Sequence, residues 1–272
     1  MPRLALGVEY DGTRFVGWQT QTNGPSVQDD LEAALSRVAN ESVRVICAGR
    51  TDTGVHATGQ VVHFDSHARR TPHAWIMGAN TYLGHDVNVL WARDVPEDFH
   101  ARFSATGRSY RYLIFNRHYR SALWRHRAAW VHTPLDEQAM HRAAQALVGE
   151  HDFSSFRASG CQAKSPVRSV RHISVSRQGQ VLELQISANA FLHHMVRNIA
   201  GSLIKIGAGE AAESWLGEVL AGRDRGRAGV TGRPEGLYLS EVQYDPRFKL
   251  PSCSKNIDAD CFIIKRSSRQ TD

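Results

Sequence analysis

Apolar and polar residues alternate from the first turn of the chain. Leu4, Leu6, Val8 and Tyr10 stand against Arg3, Ala5, Gly7 and Glu9, the period-2 pattern of a half-buried strand. Asp11-Gly12-Thr13 turns the chain out of it. Ser26, with Asp29 three residues later, predicts a helix start, and Val27, Leu31, Ala34, Leu35 and Val38 follow at helical spacing. Residues 43–47 and 60–64 are short apolar runs rich in β-branched residues and read as strands, the first of them buried. Thr71-Pro72 predicts a second helix through Trp75, Ile76 and Ala79, and residues 87–95 look extended. This half reads as β-α-β-β with additions, an α+β unit.

The second half repeats that grammar. Residues 110–115 read as a strand, and Thr133-Pro134-Leu135-Asp136 offers an N-cap, a proline at the first helical position and an acid in the first turn. Ala139, Met140, Ala143 and Leu147 give the helix its stripe. A loop is expected over residues 149–165, then strands over 170–176 and 181–187 joined by a turn at Gln178-Gly179. Leu192, Met195, Val196, Ile199, Leu203 and Ile206 mark a helix ending at Gly207 or Gly209. A helix near 211–220 and a strand over 237–244 close the pattern. The expected organisation is an N-terminal α+β half over 1–105, a C-terminal half over 106–248, and a mobile tail over 249–272. Two halves of similar order suggest an internal pseudo-repeat.

Composition narrows the class. The 272 residues are 42% hydrophobic, enough for a substantial core, and no run of about 20 apolar residues suggests a membrane span. The first residues show no secretory signal. Cys47, Cys161, Cys253 and Cys261 have neither disulfide-framework nor zinc spacing. These features point to a cytoplasmic protein. Net charge is +6, with a pI near 9.3, which favours a polyanionic partner. The distribution says more. Residues 99–135 contain no Asp or Glu but carry Arg102, Arg108, Arg111, Arg117, Arg120, Arg125 and Arg127, interleaved with Tyr110, Tyr112, Tyr119, Trp124 and Trp130. Between 153 and 209 the only acid is Glu183. Arginine forks suit phosphate oxygens, and aromatic faces stack on unpaired bases.

The apolar pattern breaks at Ala48-Gly49-Arg50-Thr51-Asp52-Thr53-Gly54-Val55-His56, between two predicted strands. Its glycines permit sharp turns or close approach, and an arginine two positions before an aspartate in extended chain can share its side. A nearby cation typically lowers a carboxylate pKa by ~1–3 units. By spacing alone, this is a strand-to-strand loop with a structural Arg–Asp pair. Two other signals carry no site. Gly207-Ala-Gly209-Glu-Ala-Ala212 imitates a dinucleotide fingerprint but follows a helix. His193 and His194, adjacent on a predicted helix, should point about 100° apart, wrong for one metal.

The string A-G-R-T-D-x-G-V-H-A-x-G-Q closely resembles the signature of the TruA family of tRNA pseudouridine synthases. Tyr10-Asp11-Gly12-Thr13, Phe15-x-Gly17-Trp18-Gln19, Ser109-Tyr110-Arg111-Tyr112, Phe191-Leu192-His193-His194-Met195-Val196-Arg197-Asn198 and Gly236-Leu237-Tyr238-Leu239 resemble its other blocks, in the same order. The resemblance implies two similar α/β halves, ferredoxin- or RRM-like, sharing a mixed, mostly antiparallel sheet with a basic cleft between them. It implies isomerisation of uridine to pseudouridine at positions 38, 39 and 40 of the tRNA anticodon stem-loop, by a homodimer, with no cofactor and no metal. Asp52 is then the essential carboxylate, as nucleophile or base. Arg197 is favoured as its partner cation over Arg50, which would contact RNA or help displace the base, although the two roles could be exchanged. Tyr110 would stack on the extruded base and Leu237 line the pocket, a plain core position being nearly as good a reading of Leu237. Two other classes stay open: a non-catalytic RNA-binding protein of this fold, and a retaining glycosidase-like hydrolase, which would need a second carboxylate.

Overall fold

The computed structural model describes residues 1–251. The expected tail, with Cys253 and Cys261, lies outside the described residues from 252 onward, whereas Phe248 and Leu250 pack into a small apolar cluster with Phe99 and Trp91. The first half runs β1 (Arg3–Tyr10), α1 (Val27–Ala39), β2 (Ile46–Cys47), β3 (His56–Asp65), α2 (Pro72–Tyr82) and β4 (Val87–Val95). The second runs β5 (Ala105–Asn116), β6 (Ala129–Val131), α3 (Glu137–Ala144), β7 (Gly149–Asp152), β8 (Val167–Gln178), β9 (Val181–Ala188), α4 (Met195–Gly207), α5 (Trp215–Gly222) and β10 (Leu237–Tyr244). Among the described residues no helix is long and apolar enough to cross a membrane.

The ten strands form one mixed sheet in the order β4-β1-β3-β10-β5-β9-β8-β7, with β2 beside β3 and β6 beside β5. Among the described residues only the β3–β10 and β5–β6 pairings are parallel. With the short strands β6 and β7 set aside, each half uses the same internal order, last strand, first, third, second: β4-β1-β3-β2 and β10-β5-β9-β8. The pseudo-repeat suggested by the sequence therefore exists as topology. The halves meet where β10 lies between β3 and β5, pairing with β3 only through Tyr238↔His56 and Leu239↔Ala57.

Each half has its own core. Leu6, Phe64, Leu31, Leu35 and Trp75 fill the first and are essentially inaccessible. Ile114, Leu184, Ile199 and Leu203 belong to the second. Full burial of such side chains contributes about 1.5–3 kcal/mol each. Ser26 caps α1 as the sequence predicts, accepting the Asp29 N–H at 3.1 Å.

Four local readings change, each for a physical reason. The strand expected over 43–47 pairs only at Ile46 and Cys47. Val43 and Val45 are buried, but their N–H groups donate to Ser36 Oγ (3.0 Å) and Glu32 Oε1 (3.0 Å) of α1 instead of a neighbouring strand. α3 starts at Glu137 with Asp136 as its cap, accepting from Gln138 and Ala139, not at Thr133-Pro134. The Asn116 side chain holds the Val131 and Thr133 carbonyls and the Leu135 N–H, so the preceding stretch stays tied to β5. The loop expected over 149–165 contains β7, recruited by the edge of β8. Finally, α4 begins at Met195, after Leu192 and both histidines.

Candidate active site

The connection from β2 to β3 carries Asp52, and segments distant in sequence fix its path. Ala48 N–H donates to Val61 O (2.8 Å), and Gln60 Nε2 to Gly49 O (2.7 Å). From the other side, Trp18 N–H donates to Thr51 O (3.0 Å), Gly54 N–H to Phe15 O (3.4 Å) and Thr53 Oγ1 to Val16 O (3.0 Å). Gly17 bridges Asp52 directly. Its φ of +116° is forbidding to a side chain, and a Cβ there would stand 2.7 Å from Thr51 O. Below the loop, the buried Tyr10 hydroxyl and Thr51 Oγ1 share a 2.8 Å hydrogen bond. The blocks at 10–13 and 15–19 thus form the brace of the Asp52 loop.

The Asp52 carboxylate is 31% exposed and faces the N-terminal turn of α4, 145 residues away in sequence. Arg197 Nη1 approaches Oδ2 at 3.5 Å, and its Nε donates to Gly232 O at 2.8 Å. Gly232 N–H returns a bond to Arg197 O at 2.9 Å. Next in sequence, buried Asn198 donates to Phe156 O and accepts from Arg225 and Thr231. These bonds lock the turn of α4 that presents Arg197. A helix N-terminus also favours a neighbouring anion. Arg50, by contrast, is exposed and makes no hydrogen bond or ion pair among the described residues. Of the two arginines, Arg197 is the one that the fold brings to Asp52.

The histidine pair differs from its sequence reading. His194 is the N-cap residue with a left-handed backbone, φ 59°, and His193 precedes it, so neither obeys helical spacing. Their rings lie 4.0 Å apart, tilted by 39°. Both Nε2 atoms reach the same carboxylate: His193 at 3.3 Å from Oδ1, His194 at 3.2 Å from Oδ2. Burial, with Arg197, His193 and Arg225 nearby, holds His194 below the usual imidazole range against the pull of Asp52. The HH dipeptide was visible in the sequence; the left-handed turn that makes it convergent was not. Asp52, His193 and His194, with donor atoms within 4.8 Å of one another, also form a metal-type donor set. The Arg197 guanidinium on the same carboxylate puts a fixed positive charge beside it, so we assign both imidazoles to the carboxylate.

Tyr110 lies at the seam, packed against both cores. Its ring meets Phe191 edge-on at 4.9 Å, and burial pushes its hydroxyl up to about 12. The hydroxyl is 3.9 Å from where a Cβ on Gly49 would stand, which brings the ring to the start of the Asp52 loop. Leu237 is 6% exposed and packs in the second core, as do Val55 and Tyr112; the structure places it as a core residue. Sequence reading grouped Arg108 with the RNA-facing arginines. Its guanidinium is instead committed to carbonyls of Ala48, Arg102, Ala105 and Asn189, tying the Asp52 loop to the second half. Arg111 is likewise paired, with Glu183. Arg102, Arg120 and Arg125 remain exposed.

A family model described as tRNA pseudouridine synthase matches residues 7–104 and 143–245. Relatives named tRNA pseudouridine synthase A include one from Shewanella woodyi, 57% identical over 249 residues, covering 92% of this chain and 95% of that protein. Others, from Pseudoalteromonas atlantica and Citrobacter koseri, are each 55% identical over 249 residues and cover 92% of this chain, with 95% and 92% of their own lengths matched. Among solved structures, a crystal structure of the archaeal box H/ACA sRNP Nop10-Cbf5 complex aligns over 87% of this chain and 48% of that one. Its identity is 12% and its TM-score 0.39; the assignment rests on the sequence relatives. With the family model matching both halves and relatives of 55–57% identity covering 92% of its length, the chain belongs to the tRNA pseudouridine synthase family, isomerases that convert uridine to pseudouridine in tRNA.

Proposed function

We propose that this enzyme converts uridines at positions 38, 39 and 40 of the tRNA anticodon stem-loop, with Asp52 as the essential carboxylate and no cofactor. The observation that supports this reading is the convergence of Arg197, His193 and His194 on Asp52 at the seam between the halves. The N1–C1′ bond of the nucleotide breaks, the base turns, and C5 joins the same sugar carbon. Nothing is oxidised and no group departs. The ionised Asp52 serves as nucleophile at the sugar or as base on it. Arg197 aims it. Extruding the base costs about a few kcal/mol, and stacking on Tyr110 returns about 1–3 of it. Arg50, with no hydrogen bond or ion pair among the described residues, contacts RNA or fills the space that the base leaves. Leu237 supports the pocket floor from the core.

Covering neighbouring positions calls for recognition of backbone and shape rather than of one base sequence. The exposed arginines among Tyr119, Trp124 and Trp130 suit that mode. We infer that the enzyme acts in the cytoplasm as a homodimer, one tRNA touching both subunits, within an organisation of two halves (1–105 and 106–248). The direct test is incubation with unmodified tRNA transcripts, followed by carbodiimide-block primer extension. Stops are expected in the anticodon arm at 38–40; a transcript converted elsewhere, or not at all, would overturn the reading.

A further inference from the structure

Phe103 differs from other exposed apolar side chains in what holds it. It is 76% exposed, yet the turn that carries it, between β4 and β5, is bonded on every side. Arg3 Nη1 donates to Phe99 O at 2.9 Å. Ala101 N–H donates to His63 Nδ1 (3.1 Å), and Ala101 O accepts from the Tyr244 hydroxyl (2.7 Å). Ser104 N–H donates to His100 O at 2.9 Å, and His100 N–H returns a bond to Ser104 Oγ at 2.9 Å. His100 Nδ1 accepts the N–H groups of both Arg102 and Phe103, each at 3.2 Å. The Phe103 ring then stacks on that same imidazole, with centres 4.3 Å apart and planes 27° apart. The ring is a fixed platform with one face backed and the other open to solvent.

Its neighbours are cationic. The Arg102 guanidinium lies 5.5 Å from the ring centre and makes no hydrogen bond or ion pair among the described residues. Asp98, the nearest acid before the turn, is occupied by Arg247 at 2.8 Å. The platform is also tied to the active-site loop. Arg108 Nη2 donates to Arg102 O at 2.8 Å and to Ala48 O at 3.0 Å, so the turn sits beside the stretch that runs from Cys47 through Arg50 to Asp52. Burial pushes the Cys47 thiol up to about 12 against the pull of both Arg50 and Arg102, which places the two guanidiniums on either side of that stretch. An apolar protein surface would call for a broader apolar patch. An open aromatic face between guanidiniums matches a nucleotide instead, with the ring on the base and a fork on the phosphate.

We propose that Phe103, backed by His100, stacks an unpaired nucleotide of the tRNA near the target uridine, with Arg102 on its phosphate. That the RNA is tRNA follows from the family; the place near the target rests on the reading of Asp52 above. Every base has a face to stack, so this contact fixes the position of the strand without reading its sequence.

The test is filter binding of tRNA transcripts to wild type, Phe103→Ala, Phe103→Leu and Phe103→Trp, with each unpaired nucleotide of the anticodon loop made abasic in turn. Phe103→Ala and Phe103→Leu should weaken binding by about 5- to 150-fold, the scale of one base stacked on an aromatic ring, while Phe103→Trp should bind as wild type does. At one loop position, loss of the base should cost wild type the same factor and cost Phe103→Ala nothing further. Arg102→Gln should lower the salt slope by about one phosphate contact, and Phe103→Ala should leave that slope unchanged. Wild-type affinity in Phe103→Ala or in Phe103→Leu, or the absence of any coupled loop position, would overturn the proposal. So would a change of oligomeric state in Phe103→Ala by sedimentation, which would assign the ring to a second copy of the chain. Binding is read without turnover, so a wild type that binds but converts nothing would count against the Asp52 reading alone.

Discussion

The two halves share one strand order, yet they contribute non-equivalent parts to the site. The turn between the second and third strands is a long braced loop in the first half, carrying Asp52. In the second half the equivalent turn, β8 to β9, is a tight hairpin at Gly179 with φ 59° and nothing near it. The helices that follow β3 and β9 reverse the contrast. α2 has an ordinary start, Thr71 capping the Ala74 N–H with Pro72 at the first position. α4 starts from a left-handed His194 with no side-chain cap, and its first turn delivers Arg197. A repeated fold thus became one site by elaborating the loop of one half and the helix start of the other. The parallel β3–β10 pairing sets these facing each other.

The largest expected effect tests whether the elaborated loop holds the chemistry. Asp52→Asn should abolish conversion in the carbodiimide assay while tRNA affinity stays within a few-fold, because phosphate contacts supply most of the binding. Turnover above background would break the comparison at its centre.

The next effect concerns the helix start. Arg197→Met should lower single-turnover rates by about 100- to 1,000-fold, the scale of losing one preorganised electrostatic partner. Arg197→Lys should fall between it and wild type, restoring charge without the fork. Arg50→Met should chiefly weaken tRNA binding, reducing the salt slope by about one phosphate contact. If Arg50→Met cripples the chemical step and Arg197→Met does not, the roles of the two arginines are exchanged.

A matched glycine pair sharpens the contrast between the turns. Gly17→Ala should destabilise by about 1–3 kcal/mol through its strained φ. Because its Cβ would press on Thr51 O, it should also cut turnover measured well below the melting temperature. Gly179→Ala, strained by roughly 1–2 kcal/mol but open to solvent, should lower thermal stability alone. Equal losses of turnover would remove the distinction.

The smallest effect separates the halves by pH. β3 buries His56 and His63, whereas its counterpart β9 contains no histidine. Burial, with His100 and Arg3 adding, pushes His63 down to about 4. Between roughly pH 6.5, the unfolded value, and about 4, the unfolded chain takes up a proton that the folded chain refuses. Stability should therefore fall with pH across that window. His63→Gln, whose carbonyl can still accept the Ala101 N–H bonded to Nδ1 at 3.1 Å, should show a shallower fall in melting temperature from pH 7 to 4.5. An unchanged slope would remove His63 as the cause.

Much of the chain was legible before folding. Local periodicity and caps act over a few residues, so α1 with its Ser26 cap and the strand over 237–244 stand where the pattern puts them. The signature loop and the Arg197 block were also visible as strings. Three-dimensional context decided what local rules cannot hold. Val43 and Val45 found partners on α1 instead of a strand, and Asn116 delayed the start of α3. His193 and His194, read as diverging on a helix, converge because a left-handed backbone at His194 precedes it. The choice of Arg197 over Arg50 depends on a meeting of side chains 145 residues apart. Sequence determined most of the elements and the strings that carry Asp52 and Arg197, because those depend on neighbours along the chain. Only the parallel seam between the halves decided which groups share the carboxylate, because that depends on neighbours in space.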